Sequence, residues 1–270
     1  MLEWSLSPLS YTFMQRGLLA ALMVGILCSI IGCYVVLRSM AFLGDAMAHA
    51  ILPGVAVAYL FQGNLTIGAL AAAIAVALGI GFFTREGAVK EDTAIGILFA
   101  AALSLGVALI STIRTYAVDL THIMFGNVLG VNPQDLWLTA VLGALVLAII
   151  ALCYRPFLVI SFDPILAATL RLPAELLRNL MLVLLAVTIV VSMQTVGVGL
   201  VVAMLITPAA TAYLLARRLP AMMAIAALIG AVSSLGGLYL SFYANIASGA
   251  AIVLVATGFF FVAFLFRRKR

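Results

Sequence analysis

The segment that decides both the fold and the candidate site reads Arg38-Ser-Met-Ala-Phe-Leu-Gly-Asp45-Ala-Met-Ala-His49-Ala-Ile-Leu-Pro53-Gly54. It places a carboxylate and an imidazole four residues apart in an otherwise apolar stretch. On an α-helix, residues i and i+4 lie on one face, about 6 Å apart along the axis. An Asp at the centre of a membrane-spanning helix costs roughly 3 kcal/mol, so the pair predicts a functional site. Asp and His together are also ligands that suit a divalent metal such as Zn²⁺ or Mn²⁺.

The composition predicts an all-α polytopic membrane protein. Of 270 residues, 66% are hydrophobic and only 9% are charged. Apolar runs of 18 or more residues recur, each long enough to cross the hydrocarbon layer as a helix. No charged or Pro/Ser-rich linker interrupts them, which predicts one domain over residues 1–270. The net charge is +5, and the basic residues lie between the apolar runs. We therefore expect membrane lipid around the chain and no nucleic-acid partner.

The apolar runs predict about nine crossings, with eight as the alternative. They lie near Gly17–Leu37, Ala41–Leu60, Thr66–Thr84, Thr93–Thr112, Leu136–Tyr154, Leu180–Gln194, Leu200–Ala216, Met222–Ser241 and Ile246–Phe266. The sixth and seventh runs meet at Val196-Gly197-Val198-Gly199, and either of them is open to being a short, broken or re-entrant segment.

The basic residues predict the orientation of the chain. If the loop 155–178 is cytoplasmic and the spans alternate, twelve of the fourteen Lys and Arg residues lie inside, and only Arg16 and Arg114 lie outside. Such a bias marks the cytoplasmic side of membrane proteins. The N-terminus is then predicted to be outside and the C-terminus cytoplasmic.

Asp45 and His49 have three interpretations. Counted from Arg38 at 1.5 Å per residue, Asp45 lies about 10 Å and His49 about 16 Å into the second span. Pro53 has no N–H, which frees the His49 carbonyl and predicts a kink beside the pair. The pair either lines a metal pathway, relays protons without metal, or is structural, with Asp45 as an N-cap and His49 as a packing residue.

One Asp and one His are too few for a closed metal shell. A homodimer with its two-fold axis along the pore would supply two of each, or four ligands around one ion.

The segment of about 161–175 is the longest predicted cytoplasmic feature. Asp163-Pro164 is typical of a helix start, and Pro173 is predicted to end a helix of about two turns. The helix either packs on the protein's own surface or docks on a cytoplasmic partner. The predicted contact residues are Asp163, Pro164, Ile165, Leu166, Leu170, Arg171 and Leu172.

The sequence contains no G-x-x-x-x-G-K-[ST] phosphate-binding loop, and neither of its lysines, Lys90 and Lys269, follows a glycine. We therefore expect a non-catalytic chain: if ATP drives it, another polypeptide hydrolyses the ATP. In a predicted outer segment, Asp119 and His122 are spaced i, i+3, and they either meet an arriving cation or belong to a solvated loop or a re-entrant segment.

At several points the chain resembles the membrane permeases of bacterial zinc/manganese/iron ATP-binding-cassette (ABC) importers. The matching motifs run along essentially the whole chain. They are Gly32-x5-Arg38-x3-Phe42-Leu43-Gly44-Asp45-x3-His49-Ala50-x2-Pro53-Gly54, Glu91-Asp92-Thr93-Ala94-Ile95-Gly96-Ile97-Leu98, Leu120-x4-Phe125-Gly126-Asn127, Val196-Gly197-Val198-Gly199-Leu200 and Leu205-Ile206-Thr207-Pro208-Ala209-Ala210.

The resemblance implies a type II ABC importer-like permease in the bacterial cell membrane. It implies a homodimer bound to two copies of a cytoplasmic ATPase and fed by an extracytoplasmic metal-binding protein. It also implies that Asp45 and His49 are the pathway metal ligands and that the segment around Asp163–Pro173 is the helix that couples to the ATPase. No cofactor is then bound permanently, since the metal is cargo.

The function expected from the sequence is ATP-driven import of a divalent metal, with Mn²⁺ or Zn²⁺ ahead of Fe²⁺. Asp plus His serves all three ions, so the choice among them stays open. The alternatives are a proton-coupled secondary metal transporter, a permease for a metal chelate such as a siderophore and, more remotely, a scaffold that transports nothing.

Overall fold

The structure is a computed structural model that describes residues 11–87, 89–112, 128–162 and 164–266. Within these ranges the regular structure is helical. Two short 3₁₀ helices cover Arg85–Gly87 and Val128–Gly130. The α-helices are α1 (Thr12–Leu37), α2 (Phe42–Ala50), α3 (Leu52–Leu60), α4 (Leu65–Phe83), α5 (Glu91–Ser111), α6 (Pro133–Leu152), α7 (Tyr154–Phe162), α8 (Pro164–Thr169), α9 (Ala174–Val196), α10 (Val198–Leu215), α11 (Leu219–Ala244) and α12 (Ser248–Leu265).

Nine segments of the described chain are long and apolar enough to cross a membrane. They are α1, the combined α2 and α3 (Phe42–Leu60), α4, α5, α6, α9, α10, α11 and α12, so the predicted all-α polytopic architecture is confirmed. The sixth and seventh apolar runs, for which a short, broken or re-entrant segment was an alternative, are the helices α9 and α10 of 23 and 18 residues. They are separated by Gly197 alone, whose φ of 86° favours glycine.

The described residues form two compact units. Unit 1 comprises 11–36, 128–144 and 191–266, and unit 2 comprises 37–87, 89–112, 145–162 and 164–190. The prediction of a single permease domain over residues 1–270 is not decided by this division and stays a prediction.

Unit 1 is held together by close approach of helix backbones at small residues. A Cβ added to Gly25 on α1 would lie 3.0 Å from the Gly230 carbonyl oxygen on α11 and 2.6 Å from the Ser234 hydroxyl. That hydroxyl donates to the carbonyl oxygen of Ala21 at 2.9 Å. Small residues four apart let helices approach closely in lipid, where no hydrophobic drive pulls them together.

The same packing recurs at two further crossings of unit 1. A Cβ on Gly32 of α1 would lie 1.8 Å from the carbonyl oxygen of Leu205 on α10, and one on Gly237 of α11 would lie 2.3 Å from the Cα of Ile252 on α12. Any side chain at these glycines would push two backbones apart.

In unit 2, helix α3 packs against both α4 and α5. Gly54 and Gly68 face each other, since a Cβ on either would lie 2.1–2.3 Å from the other's carbonyl oxygen. On the α5 side, a Cβ on Gly106 would lie 2.6 Å from the Cβ of Leu52. These contacts hold the Leu52-Pro53-Gly54 turn, which directly follows the segment that carries Asp45 and His49.

Arginines connect the helix ends of unit 2. The Arg178 guanidinium on α9 donates to the carbonyl oxygens of Thr84, at 3.2 Å, and Gly81, at 3.0 Å. It thereby adds a donor at the C-terminal end of α4, where the Gly81 carbonyl also accepts from the Thr84 hydroxyl and the Thr84 carbonyl from the Gly87 amide. Arg85 pairs with Glu175 on α9 at 3.2 Å. The basic residues predicted on one side of the membrane are therefore neighbours at one end of unit 2.

Candidate functional site

The segment that carries Asp45 starts later than the sequence suggested. Ser39 adopts a left-handed backbone with φ 57°, and helix α2 begins only at Phe42. Asp45 lies within the first turn rather than at the N-cap, which is Ala41. At 1.5 Å per residue, Asp45 is about 4.5 Å and His49 about 10.5 Å along the helix from its first residue. Both residues therefore lie nearer the start of the span than the roughly 10 Å and 16 Å obtained by counting from Arg38.

Asp45 and His49 form the pair that their spacing predicts. Nε2 of His49 lies 3.6 Å from Oδ1 of Asp45, and the side chains are 25% and 44% exposed, respectively. Residues 43, 44 and 46–48 of the same helix are buried. The two polar groups thus share a face of α2 that the described residues leave partly uncovered.

A break in the helix follows directly after His49. Helix α2 ends at Ala50 and α3 begins at Leu52, with Pro53 at its start. Pro53 cannot donate to the His49 carbonyl, as predicted. The amide of Ile51 donates to that carbonyl instead, so the expected bare oxygen has a partner.

Helix α5 runs beside α2 and contacts it at two levels. The Arg38 guanidinium, before α2 begins, forms an ion pair with Glu91 at the first residue of α5. About two turns further along α5, the Phe99 ring lies against both Phe42 and His49. The sequence did not indicate this partner, because 53 residues separate Glu91 from Arg38.

The Arg38 side chain is only 13% exposed. Burial lowers the pKa of its guanidinium from the ordinary value, Glu91 opposes that effect, and the nearby Arg178 guanidinium adds to it. Its atom Nη1 is buried without a hydrogen-bond partner. The ion pair with Glu91 therefore stabilises a charge that would be costly to leave alone.

Within the described ranges, no three or more His, Cys, Asp or Glu side chains come together as a set that could hold a metal ion. Asp45 and His49 remain a pair of candidate ligands. The other predicted cation contacts, Asp119 and His122, lie outside the described residues, as does the Leu120–Asn127 motif.

The second predicted site is the segment at about 161–175. Asp163 lies outside the described residues, and helix α8 begins at Pro164. It ends before Pro173, because Arg171 is left-handed, with φ 54°, and the Leu172 amide donates back to the Ala167 carbonyl at 3.0 Å. This backbone pattern is a Schellman-type stop, so the helix has six residues and Pro173 is not its terminator.

The apolar side chains expected on the surface of this segment are largely exposed. Leu166 is 45% and Leu170 is 55% exposed, while Leu172 is half-buried and Arg171 is exposed. Phe162, at the end of α7, is 62% exposed and extends the apolar surface. Phe162 was not among the predicted contact residues, although its position directly before Asp163-Pro164 indicates the same surface.

The chain belongs to the ABC 3 transport family, whose sequence model matches residues 10–267. The resemblance to membrane permeases of ABC importers is thereby confirmed. A helical permease of this family is an integral membrane protein, in agreement with the spans described above.

Three relatives illustrate the match. "Manganese transport system membrane protein MntC" of Halalkalibacterium halodurans is 50% identical over 262 residues, which cover 97% of this chain and 90% of that protein. "Probable iron transport system membrane protein" of Haemophilus influenzae is 42% identical over 270 residues, 100% of this chain and 99% of that protein. The solved structure "PsaBC from Streptococcus pneumoniae in complex with Fab" contains a chain that is 39% identical, with a TM-score of 0.86 and coverage of 100% and 97%.

Proposed function

We propose that this chain is the membrane permease subunit of an ATP-driven importer of divalent transition-metal ions, with Mn²⁺ as the first candidate cargo. The observation that carries the proposal is the Asp45–His49 pair. Two partly exposed ligand side chains lie 3.6 Å apart on one face of an apolar span. Ionisable groups are retained at such positions mainly for function.

Transit of the ion requires weak coordination. A carboxylate oxygen and an imidazole nitrogen both bind Mn²⁺, Zn²⁺ and Fe²⁺, and the two ligands of one copy alone bind an ion less tightly than the four that two copies would supply together. Binding that is easily reversed suits a pathway, because an ion must leave as well as enter. No resident metal or cofactor belongs to this proposal, since the ion is the substrate.

A second copy of the chain completes the site in this proposal. A two-fold axis along the pore would place two Asp45 and two His49 side chains around one ion. Two ligands from each of two copies would give the four of a closed shell.

ATP hydrolysis is assigned to two copies of a cytoplasmic ATPase, because the chain has no phosphate-binding loop. The exposed apolar surface of Phe162, Leu166 and Leu170 supports docking of that ATPase at α8. Nucleotide binding would then close the ATPase dimer and move the helices that carry the metal ligands. An extracytoplasmic metal-binding protein would deliver the ion.

The proposed setting is the bacterial cell membrane, with the N-terminus outside and the C-terminus cytoplasmic. In this orientation, the cytoplasmic end of unit 2 contains the C-terminal end of α4 and the N-terminal end of α9. Arg38, Arg85 and Arg178 lie at that end. The Arg178 contacts to Gly81 and Thr84 support a common side for these residues.

We propose Mn²⁺ ahead of Zn²⁺ and Fe²⁺ as the transported ion. Support comes from the manganese transport protein at 50% identity, while an iron transport name at 42% identity keeps Fe²⁺ among the ions to be tested.

Uptake of radioactive Mn²⁺ tests the proposal in cells that lack their own manganese importer and express the complete transporter. Asp45→Asn and His49→Gln are each expected to lower initial uptake more than tenfold at equal protein level. Asp135→Asn, which removes a carboxylate from the first turn of α6, is the matched control and should leave uptake unchanged. Normal uptake by both site variants would refute the metal-pathway role, and it is also the outcome expected of a chelate permease.

Reconstituted vesicles separate ATP-driven from proton-coupled transport. With ATP supplied on the ATPase side and the proton gradient abolished by an ionophore, we expect Mn²⁺ transport to continue. Transport that stops with the gradient and ignores ATP would favour the secondary transporter instead.

A further inference from the structure

The face of α5 that adjoins α2 carries one aromatic ring, Phe99. Its centroid lies 5.7 Å from that of Phe42, with an interplanar angle of 87°, and 6.2 Å from that of His49, with an angle of 58°. Phe42 and His49 are seven residues apart on α2, which is two turns, or about 10.5 Å along the axis. Phe99 therefore lies between the two rings and touches both.

Phe42, Asp45 and His49 follow one another at helical spacings of three and four, so they share one face of α2. Phe99 itself has no atom that could bind a cation strongly. Its contribution to the site must come from where it holds the imidazole and from the water that it excludes on that side of the ring.

We propose that Phe99 is a positioning residue for the metal site: it restricts the His49 imidazole to an orientation in which Nε2 faces Asp45. The inference rests on the proposed function, because it concerns the same pair of ligands. The edge-on contact with Phe42 in turn restricts Phe99, so the imidazole is supported through two packed rings. Aromatic rings in offset or edge-on contact hold one another in preferred geometries.

A second contact makes this support effective. The Arg38–Glu91 ion pair connects the chain just before α2 to the first turn of α5. It limits sliding of α2 along α5, so that His49 and Phe99 stay at the same level. A ligand held in its binding rotamer before the ion arrives loses less conformational entropy on binding.

Three substitutions at position 99 test the proposal in the purified transporter, with Mn²⁺ as the probe and free Mn²⁺ measured by electron paramagnetic resonance. Phe99→Tyr keeps the flat ring and is expected to retain affinity. Phe99→Leu fills similar volume without a ring, and Phe99→Ala removes both. Both are expected to weaken binding about three- to tenfold, as freeing one immobilised side chain would.

Ile97→Ala is the matched control. Ile97 is on the same helix and is 60% exposed, so its truncation should leave Mn²⁺ affinity unchanged. Thermal unfolding of each variant reports on folding. If Phe99→Ala does not fold, the comparison between Tyr and Leu still decides, since a space-filling role would make these two equivalent.

The absorption spectrum of bound Co²⁺ supplies a readout that a purely structural role would not move. Its d–d bands depend on ligand geometry, and we expect them to shift in Phe99→Leu but not in Phe99→Tyr. Equal affinity and equal spectra for wild type, Tyr and Leu would overturn the inference. If Asp45→Asn and His49→Gln also left Mn²⁺ binding intact, the proposed function itself would fail. Loss of binding in those variants with no effect of Phe99→Leu would reject only the positioning role.

Discussion

The two units of the molecule use different chemistry to hold their helices. In unit 1, α1, α10, α11 and α12 meet at Gly25, Gly32, Gly230 and Gly237, where backbones are in direct contact. In unit 2, glycines also bring α3, α4 and α5 together, but ion pairs and arginine-to-carbonyl bonds are added at the helix ends. The Asp45–His49 pair belongs to unit 2 as well.

This difference shows where each unit is sensitive. Close backbone contact has no slack, so a single methyl group is enough to disrupt it. Charged contacts depend on both partners being present, so removal of one is worse than removal of both. Variants of unit 1 should therefore fail by steric conflict, and variants of unit 2 by steric conflict at its glycines or by uncompensated charge at its helix ends.

The largest effect is expected for Gly32→Ala in unit 1. The new methyl would lie 1.8 Å from the Leu205 carbonyl oxygen, so α1 and α10 must separate. Most of the protein should fail to fold, and what folds should lose about 3 kcal/mol or more, the upper end of the cost of overpacking. Folded yield and thermal unfolding in detergent measure this. Gly258→Ala on α12, whose Cβ would meet nothing within 4 Å, is the control, and equal stability of the two variants would contradict the steric account.

Unit 2 should also respond to the loss of a charge. Arg38→Gln and Glu91→Gln are each expected to destabilise the protein by about 2 kcal/mol, because each leaves a largely buried charge without its partner. The double variant should cost clearly less than the sum of the two. A double-mutant cycle on the unfolding free energies measures this coupling. Strict additivity would show that the ion pair does not stabilise unit 2.

A smaller effect is expected from the interhelical hydrogen bond of unit 1. Ser234→Ala removes the donor to the Ala21 carbonyl and should cost about 0.6 kcal/mol, the average for such bonds between membrane helices. The neighbouring Ser233 is also fully buried, but its hydroxyl has no hydrogen-bond partner. Ser233→Ala should therefore leave the unfolding temperature unchanged or raise it. A larger loss of stability in Ser233→Ala than in Ser234→Ala would contradict the account in which Ser234, and not Ser233, contributes a stabilising hydrogen bond.

The smallest effect is expected for Arg85→Gln. The Arg85 and Glu175 side chains are 58% and 52% exposed, and ion pairs at such exposure contribute less than about 1 kcal/mol. Whatever it contributes should disappear in 1 M salt, where the Debye length is about 3 Å. Unfolding at low and high salt checks this, with Arg38→Gln as the contrast, since a buried pair is screened much less. If the loss of unfolding free energy in Arg85→Gln did not depend on salt, the Arg85–Glu175 pair would behave as a buried ion pair.

Particular residues show how far the sequence could be interpreted on its own. The spacing of Asp45 and His49 predicted their adjacency, and Pro53 predicted the break after His49. Gly25 and Ser29 on α1, and Gly230 and Ser234 on α11, are small residues four apart on helix faces that pack closely. Local stop signals were less certain: Pro173 was expected to end the helix that Arg171 and Leu172 end by backbone hydrogen bonds.

The sequence alone determined the number of spans and the chemistry of the candidate site, because both depend on local patterns: apolar run length, and two ligands one helical turn apart. The tertiary structure alone decided which residues lie beside that pair. Arg38 meets Glu91 and His49 meets Phe99 across about fifty positions of chain. No periodicity within a single helix encodes such a pairing, since it exists only once two helices have packed in a particular register.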